Sequence, residues 1–330
     1  MKAGVGHRVA MDRRELLGVA ALSAFATAGA GSLPALPDFG VAESMPLWPG
    51  TPPGGPLPDL ALRVVERSPD PAKFHLRAVS GVSRPLLMVV RSPAPNGSAL
   101  LIMPGGGYRE LYVDTAFDAA RRLAQQGITG FVLLYRLPHE GWRAGTEVPL
   151  QDATRAMRLV RAGAAQYAID PSRIGVLGFS AGGHLAAMLA LRPDAEPYTP
   201  VDAADDESAR ARFAALLYPV ITMLPPYAHE ASREMLLGAN ATRAERAAYS
   251  CERLVTPGAS PMFLVAADDD PDVPVDNTLA MFASLRRARV AAELHVFERG
   301  GHGFGLGNPG EPLSAWPDLL LHWARMHAGG

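Results

Sequence analysis

Cysteine is nearly absent: Cys251 is the only one in 330 residues. That excludes an intrachain disulfide and any Cys-rich zinc or iron–sulfur site. No local motif activates the thiol, so it reads as a small apolar filler rather than a nucleophile. Charge imbalance is also missing. The 31 Lys and Arg stand against 33 Asp and Glu, a formal net charge of −2. No global basic field exists to attract nucleic acid, and no nucleic-acid partner is expected. Long apolar runs are lacking too. The Ala/Leu/Gly run ending near Ala30 is too short and too weakly apolar to read as a membrane span, so none is expected in the mature protein. Internal repeats are absent. With 48% hydrophobic and 19% charged residues, the chain can bury a sizeable core.

The N-terminal part is set apart by composition. Arg13-Arg14 precedes Glu15-Leu16-Leu17 and the modest apolar run, and Ala28-Gly29-Ala30 offers small residues for cleavage. A basic region, an apolar region and small residues in that order read as an export signal over residues 1–30. The paired arginines point to the twin-arginine route and a periplasmic or extracellular destination. The alternative is a disordered tail or an uncleaved anchor. Residues 31–60 are rich in Pro and Gly, which predicts polyproline or irregular structure. Trp48 beside Pro49 either docks this stretch on the domain surface or belongs to a cleft. Residues 61–330 are read as the catalytic domain.

Within that domain, apolar strand patterns alternate with helical spacing. Strands are expected at 62–66, 74–79, 85–90, 99–103, 130–135, 174–179, 213–218, 262–267 and 292–297. Helices are expected at 115–126, 150–167, after residue 180, at 276–287 and at 315–326. This alternation predicts an α/β fold with a doubly wound, mostly parallel sheet. Residues 201–209 are acidic and read as a solvated loop or helix start. Consecutive aspartates lack the ligand spacing of a calcium loop, and no metal site or cofactor is expected. Residues 225–257 interrupt the alternation, either as a small lid beside a cleft or as a surface excursion.

The stretch around which the chain is organised is Gly178-Phe179-Ser180-Ala181-Gly182. An apolar run ends in Gly-x-Ser-x-Gly, and an Ala/Leu-rich run follows. Between a strand and a helix this pattern is a nucleophile elbow: the serine sits on a strained turn beside free helix amides. Pro104-Gly105-Gly106-Gly107-Tyr108 follows the strand ending at Met103. The Lys and Ser/Thr of a phosphate loop are missing there. With Ser180 downstream, the loop reads as an oxyanion site, Gly106 and Gly107 supplying amides and Ala181 another. A serine nucleophile needs a base, and the base an orienting acid. His302 lies in Gly300-Gly301-His302-Gly303, after an apolar strand and before the last helix. It suits the role of base for Ser180 and acid for the leaving group. His184 is expected to pack behind the elbow. Asp268-Asp269-Asp270-Pro271-Asp272 follows the strand at 262–267 and supplies the acid, Asp270 first and Asp269 as the alternative. Asp152, Arg155 and Arg158 share one helix and read as structural support, with Asp152 and Arg155 pairing at three-residue spacing.

Taken together, the chain resembles the α/β-hydrolase superfamily, in particular bacterial esterases of the feruloyl/acetyl-xylan-esterase-like and hormone-sensitive-lipase-like group. The resemblance runs from about Trp48 to the C-terminus. It is carried by Pro104 to Tyr108, Tyr135-Arg136-Leu137, Gly178 to His184, Asp269 to Pro274 and Gly300 to Gly305. Pro104 stands where many lipase-like members have histidine, which speaks against a lipase more than against hydrolysis. The resemblance implies that serine, acid and histidine fall on Ser180, Asp270 and His302. It also implies a carboxylic-ester hydrolase working through an acyl-enzyme on acetyl or other short acyl esters of carbohydrate. The substrate would be a small-molecule or polysaccharide ester. A xylanase activity fits poorly, because glycoside cleavage ordinarily needs paired carboxylates. The alternatives are a serine peptidase of similar fold and a non-catalytic binding module.

Overall fold

A computed structural model describes residues 38–328 apart from 42, 56 and 57. The expected export signal at 1–30 lies outside these residues. All described residues fall in one compact unit, Ala35–Gly330.

The centre is an eight-stranded sheet in the order β1-β4-β7-β5-β8-β9-β10-β11. In chain order the strands are β1 (Glu43–Pro46), β4 (Leu86–Val90), β5 (Gly97–Met103), β7 (Thr129–Leu134), β8 (Ile169–Phe179), β9 (Ala214–Leu217), β10 (Met262–Ala267) and β11 (Ala292–Phe297). From β7 through β11 all neighbours are parallel. At the other edge β4 and β1 add on antiparallel. The residues of β7, β9 and β10 are buried throughout, as continuous apolar runs covered on both faces require. Three short strands, β2 (Arg63–Glu66), β3 (Arg77–Ser80) and β6 (Leu111–Tyr112), form a separate small antiparallel sheet.

Helices flank the main sheet: α1 (Val113–Ala124), α2 (Val148–Ala162), α3 (Ala181–Leu191), α6 (Asp276–Arg287) and α7 (Trp316–Ala328). α1 shows why these segments are helical. Val113, Ala116, Phe117, Ala120, Leu123 and Ala124 recur at three- and four-residue spacing and are buried. Asp114 lies in its first turn and Arg121 and Arg122 in its last, as the helix dipole favours. α3 is buried along ten of its residues, so its Ala/Leu-rich sequence has no polar face. This is the α/β-hydrolase architecture, and the expected doubly wound, mostly parallel sheet is observed.

Several local expectations are corrected. The Pro/Gly-rich tract contains a strand, β1, which pairs with β4 from Glu43↔Val89 to Pro46↔Leu86. Trp48 docks rather than entering a cleft: its indole Nε1 donates to Asp152 Oδ1 at 2.9 Å and its ring meets Tyr198 edge-on. The long helix expected at 150–167 ends at Ala162, and Gly163 separates it from a short 3-10 turn. β8 begins earlier than expected, with a shift of register against β5 between Gly97 and Ala99 that absorbs its exposed residues 170–172. Asp152 and Arg155 do not pair. Asp152 meets Arg136 at 2.8 Å, both side chains fully buried, while Arg155 reaches Asp202 and Asp205. Burial decides this, because each charge needs a partner from another packed segment and not merely a helical neighbour. Asp205 is accordingly buried, although its acidic stretch reads as solvated. The interruption at 225–257 contains α4 (Glu230–Leu237) and α5 (Arg243–Ala248). Among the described residues no helix is long and apolar enough to cross a membrane.

Candidate active site

Parallel strands place all their C-terminal ends along one edge of the sheet, where ligands of such folds bind. The loops after β5, β8, β10 and β11 carry Gly105 to Gly107, Ser180, Asp270 and His302 in turn. Side chains distant in sequence thus converge because four strands run the same way.

The turn after β8 is strained. Ser180 has φ 53° and ψ −118°, a conformation L-residues rarely adopt. Its neighbours must be glycine because the backbone doubles back on itself. A Cβ on Gly178 would lie 2.2 Å from the Gly182 carbonyl oxygen, and one on Gly182 2.3 Å from that of Met103. The strain directs Ser180 Oγ to His302, whose Nε2 is 2.9 Å away. His302 Nδ1 is 2.8 Å from Asp270 Oδ2. The other oxygen, Asp270 Oδ1, accepts from the amides of Asp272 and Val273 at 2.9 Å each. Burial opposes ionisation of Asp270, but the bonds from His302 and these two amides outweigh it and hold its pKa below the ordinary value. An ionised carboxylate only accepts. His302 therefore donates from Nδ1, and in the neutral ring the Nε2 lone pair faces the seryl hydroxyl. Asp269 is turned away: its Oδ1 accepts from the Gly301 amide at 2.8 Å, steadying the loop that carries His302.

Gly105, Gly106 and Gly107 line the same cavity as Ser180 and His302. Gly106 has φ +126°, and a Cβ there would sit 1.9 Å from the Glu110 carbonyl oxygen, so only glycine fits. Among the loops and turns of the described residues, the Gly106 and Gly107 amides donate to no backbone carbonyl. Ala181 is fully buried and opens α3, where its amide precedes the first intrahelical acceptor. The cavity measures about 320 Å³ and is also lined by Leu76, Tyr112, Thr115, Phe179 and Tyr218. Tyr218 packs edge-on against the His302 ring, with centroids 5.0 Å apart. His229 and Asp272 line it as well.

Behind the elbow, His184 is buried. Its Nε2 is 2.7 Å from the Tyr249 carbonyl oxygen and its Nδ1 is 2.8 Å from the Tyr108 hydroxyl. A carbonyl can only accept, so Nε2 carries the proton and the Tyr108 hydroxyl donates to Nδ1. Burial pushes the His184 pKa down to about 4. His184 thus ties the glycine loop to the elbow helix and stays neutral. Cys251 is also buried, and burial pushes its thiol pKa up, as suits a filler.

The structure therefore brings together Ser180, His302 and Asp270, with Gly106 and Gly107 beside them and Ala181 directly behind. Tyr218, His229 and Asp272 were not singled out by sequence reasoning. Tyr218 immediately follows a parallel strand, a position visible in the sequence, whereas His229 comes from the interrupting segment, whose helices sequence reasoning left without bounds. Among the described residues no group of three or more His, Cys, Asp or Glu is placed to hold a metal ion.

The family model described as BD-FAE matches residues 94–285. The chain is 32% identical over 264 residues to an endo-1,4-beta-xylanase B of Butyrivibrio fibrisolvens, covering 80% of this chain and 41% of that protein. It is 33% identical over 218 residues to an acetylxylan esterase of Xylanibacter ruminicola, covering 64% of this chain and 42% of that protein. The chain thus spans about two-fifths of the length of these relatives. Among solved structures, an acetyl ester-xyloside bifunctional hydrolase from Caldicellulosiruptor lactoaceticus superposes with a TM-score of 0.67 at 32% identity, covering 82% of this chain and 98% of that one.

Proposed function

Because this chain belongs to the BD-FAE family of α/β-hydrolases, we propose that it is a serine carboxylic-ester hydrolase acting through an acyl-enzyme. One observation carries the proposal: the unbroken hydrogen-bonded series Ser180–His302–Asp270 at 2.9 and 2.8 Å, in a cavity walled by Gly106 and Gly107. Ser180 attacks the ester carbonyl as His302 Nε2 takes its proton. The amides of Gly106 or Gly107 and of Ala181 hold the tetrahedral oxyanion. Asp270 keeps the imidazole in the tautomer that can accept and stabilises the imidazolium formed. His302 then protonates the departing alcohol, and water repeats the sequence to release the acid.

The substrate in this reading is an acetyl or other short acyl ester of carbohydrate. The names of the acetylxylan esterase and of the acetyl ester-xyloside hydrolase support it. Glycoside cleavage needs two carboxylates across the sugar bond, and Asp272 is the one carboxylate among the described lining residues. Residues 1–30, with Arg13-Arg14, are read as a twin-arginine export signal, and a periplasmic or extracellular destination is compatible with a carbohydrate ester as substrate. A fluorophosphonate probe is expected to label Ser180 covalently, which a binding module would not allow. A panel of acetylated xylan, feruloyl esters, simple acyl esters and peptides then tests the substrate. Cleavage of peptides with all esters untouched would replace the esterase reading by a peptidase.

A further inference from the structure

His229 stands in the cavity wall but takes no part in the Ser180–His302–Asp270 series. Its Nδ1 is 2.7 Å from Ser232 Oγ, and Ser232 is fully buried at the start of α4. Ser232 in turn faces the glycine loop, where a Cβ on Gly107 would lie 3.7 Å from its Oγ. The imidazole is therefore anchored on one nitrogen, and Nε2 has no hydrogen-bond partner among the described residues. Asp272 also lines the cavity, and its carboxylate forms no ion pair or side-chain hydrogen bond among the described residues. Its backbone is fixed all the same, because its amide is one of the two that hold Asp270.

The chemistry says which half of an ester meets these groups. The leaving oxygen must take its proton from His302 Nε2, so the alcohol departs alongside that ring. His229 is close enough to feel the charge of His302, and the Asp272 amide holds the carboxylate that orients that ring, so both line the cavity within reach of the departing alcohol. Burial lowers the His229 pKa, the nearby His302 lowers it further, and Asp272 and Asp270 pull the other way. The balance holds the His229 pKa below its ordinary value, which favours the neutral imidazole. A plain alkyl alcohol offers neither His229 nor Asp272 a hydrogen bond and leaves both to water. A ring with neighbouring hydroxyls can donate to the carboxylate and bond the imidazole at once.

We propose that His229, seated by Ser232, and Asp272 form a subsite for the alcohol half of the ester, one that selects sugar alcohols with neighbouring hydroxyls over plain alkyl alcohols. This rests on the serine-esterase reading of the same cavity. It assigns the selectivity to the interrupting segment and to the turn after β10, not to the elbow.

The test compares kcat/KM for a mono-acetylated methyl xyloside and for ethyl acetate, in the full chain and in His229→Phe and Asp272→Ala. The ratio of the two values, sugar ester over ethyl acetate, is expected to fall by about tenfold or more in each variant, the scale of a site-to-substrate hydrogen bond lost. Asp272 is exposed, so Asp272→Ala decides alone if His229→Phe does not fold. An unchanged ratio in a folded variant of either kind overturns the subsite, even if both substrates slow together. So does an unaltered chain that cleaves ethyl acetate but not the sugar ester. Loss of both ester activities in the unaltered chain, with no fluorophosphonate label on Ser180, would instead remove the esterase reading itself.

Discussion

Replacing Asp270 by asparagine isolates the role of one proton. The carboxylate is held from two sides: Oδ1 by the amides of Asp272 and Val273 at 2.9 Å each, Oδ2 by His302 Nδ1 at 2.8 Å. Two amide donors can be satisfied only by an oxygen. In Asp270→Asn the side-chain oxygen therefore stays on them, and the NH₂ group is turned to His302. That group only donates, so Nδ1 must become the acceptor and the ring proton moves to Nε2. Nε2 then presents an N–H to Ser180 and cannot take its proton. The geometry is preserved while the tautomer is wrong. A loss of about four orders of magnitude in kcat is expected, ~5 kcal/mol of transition-state stabilisation.

Asp269→Asn is the matched control. Asp269 Oδ1 accepts only the Gly301 amide, at 2.8 Å, and an asparagine oxygen can do the same. Its effect on kcat should stay within about threefold, as for changes that spare a special interaction. The assay is release of acid from a short acyl ester, normalised to sites counted by titration of the unaltered enzyme with a fluorophosphonate. If Asp270→Asn stays within about tenfold of the unaltered enzyme, or if Asp269→Asn is the worse variant, the tautomer argument is wrong.

Other substitutions separate chemistry from stability. Ser180→Ala should abolish ester turnover without changing the fold. Ser180→Gly should be equally inactive but more stable than Ser180→Ala by about 1 kcal/mol, since glycine relieves a backbone at φ 53°; denaturant titration of the pair checks this. Asp152→Ala leaves the fully buried Arg136 guanidinium without its carboxylate and strips Trp48 Nε1 of its acceptor, so a loss of about 3–5 kcal/mol in unfolding free energy is expected. For His184 the folded pKa of about 4 lies below the ordinary 6.5. The unfolded chain therefore binds this proton first as pH falls, and stability present above the ordinary value is lost on the way down to the folded one. Unfolding free energy should drop by roughly 3 kcal/mol from this group between those two pH values, and His184→Asn should flatten that part of the profile in chemical denaturation.

The elbow was legible because its constraints are local. Gly178 and Gly182 are needed by backbone atoms within a few residues or on the adjoining strand end, and that need shows as Gly-x-Ser-x-Gly between an apolar run and an Ala-rich run. The strands β10 and β11 and the helix α6 coincide with their expected bounds for a similar reason: each is an uninterrupted period-matched segment with clear breakers at its ends. β1 was hidden. Four residues in a tract full of proline and glycine carry no periodic signal, and they form a strand only because β4 offers an edge to pair with. The partner of Asp152 was hidden in the same way. Helical spacing proposes Arg155, but the guanidinium that arrives from Arg136 does so through the sheet, at no regular interval.

The cavity wall shows where this limit falls. The four groups of residues picked out by sequence sit at the ends of parallel strands, and the strand-end rule would also have named Tyr218, which follows β9 directly and packs on His302. It could not have named His229. That side chain enters from the interrupting segment, and its orientation depends on a buried Ser232 three residues further on and on the glycine loop facing it. Strand order fixes what can react along this edge of the sheet. On the proposed subsite, what is admitted to react depends on an excursion that the strand-end rule does not reach, so sequence alone reads the reaction more readily than the substrate.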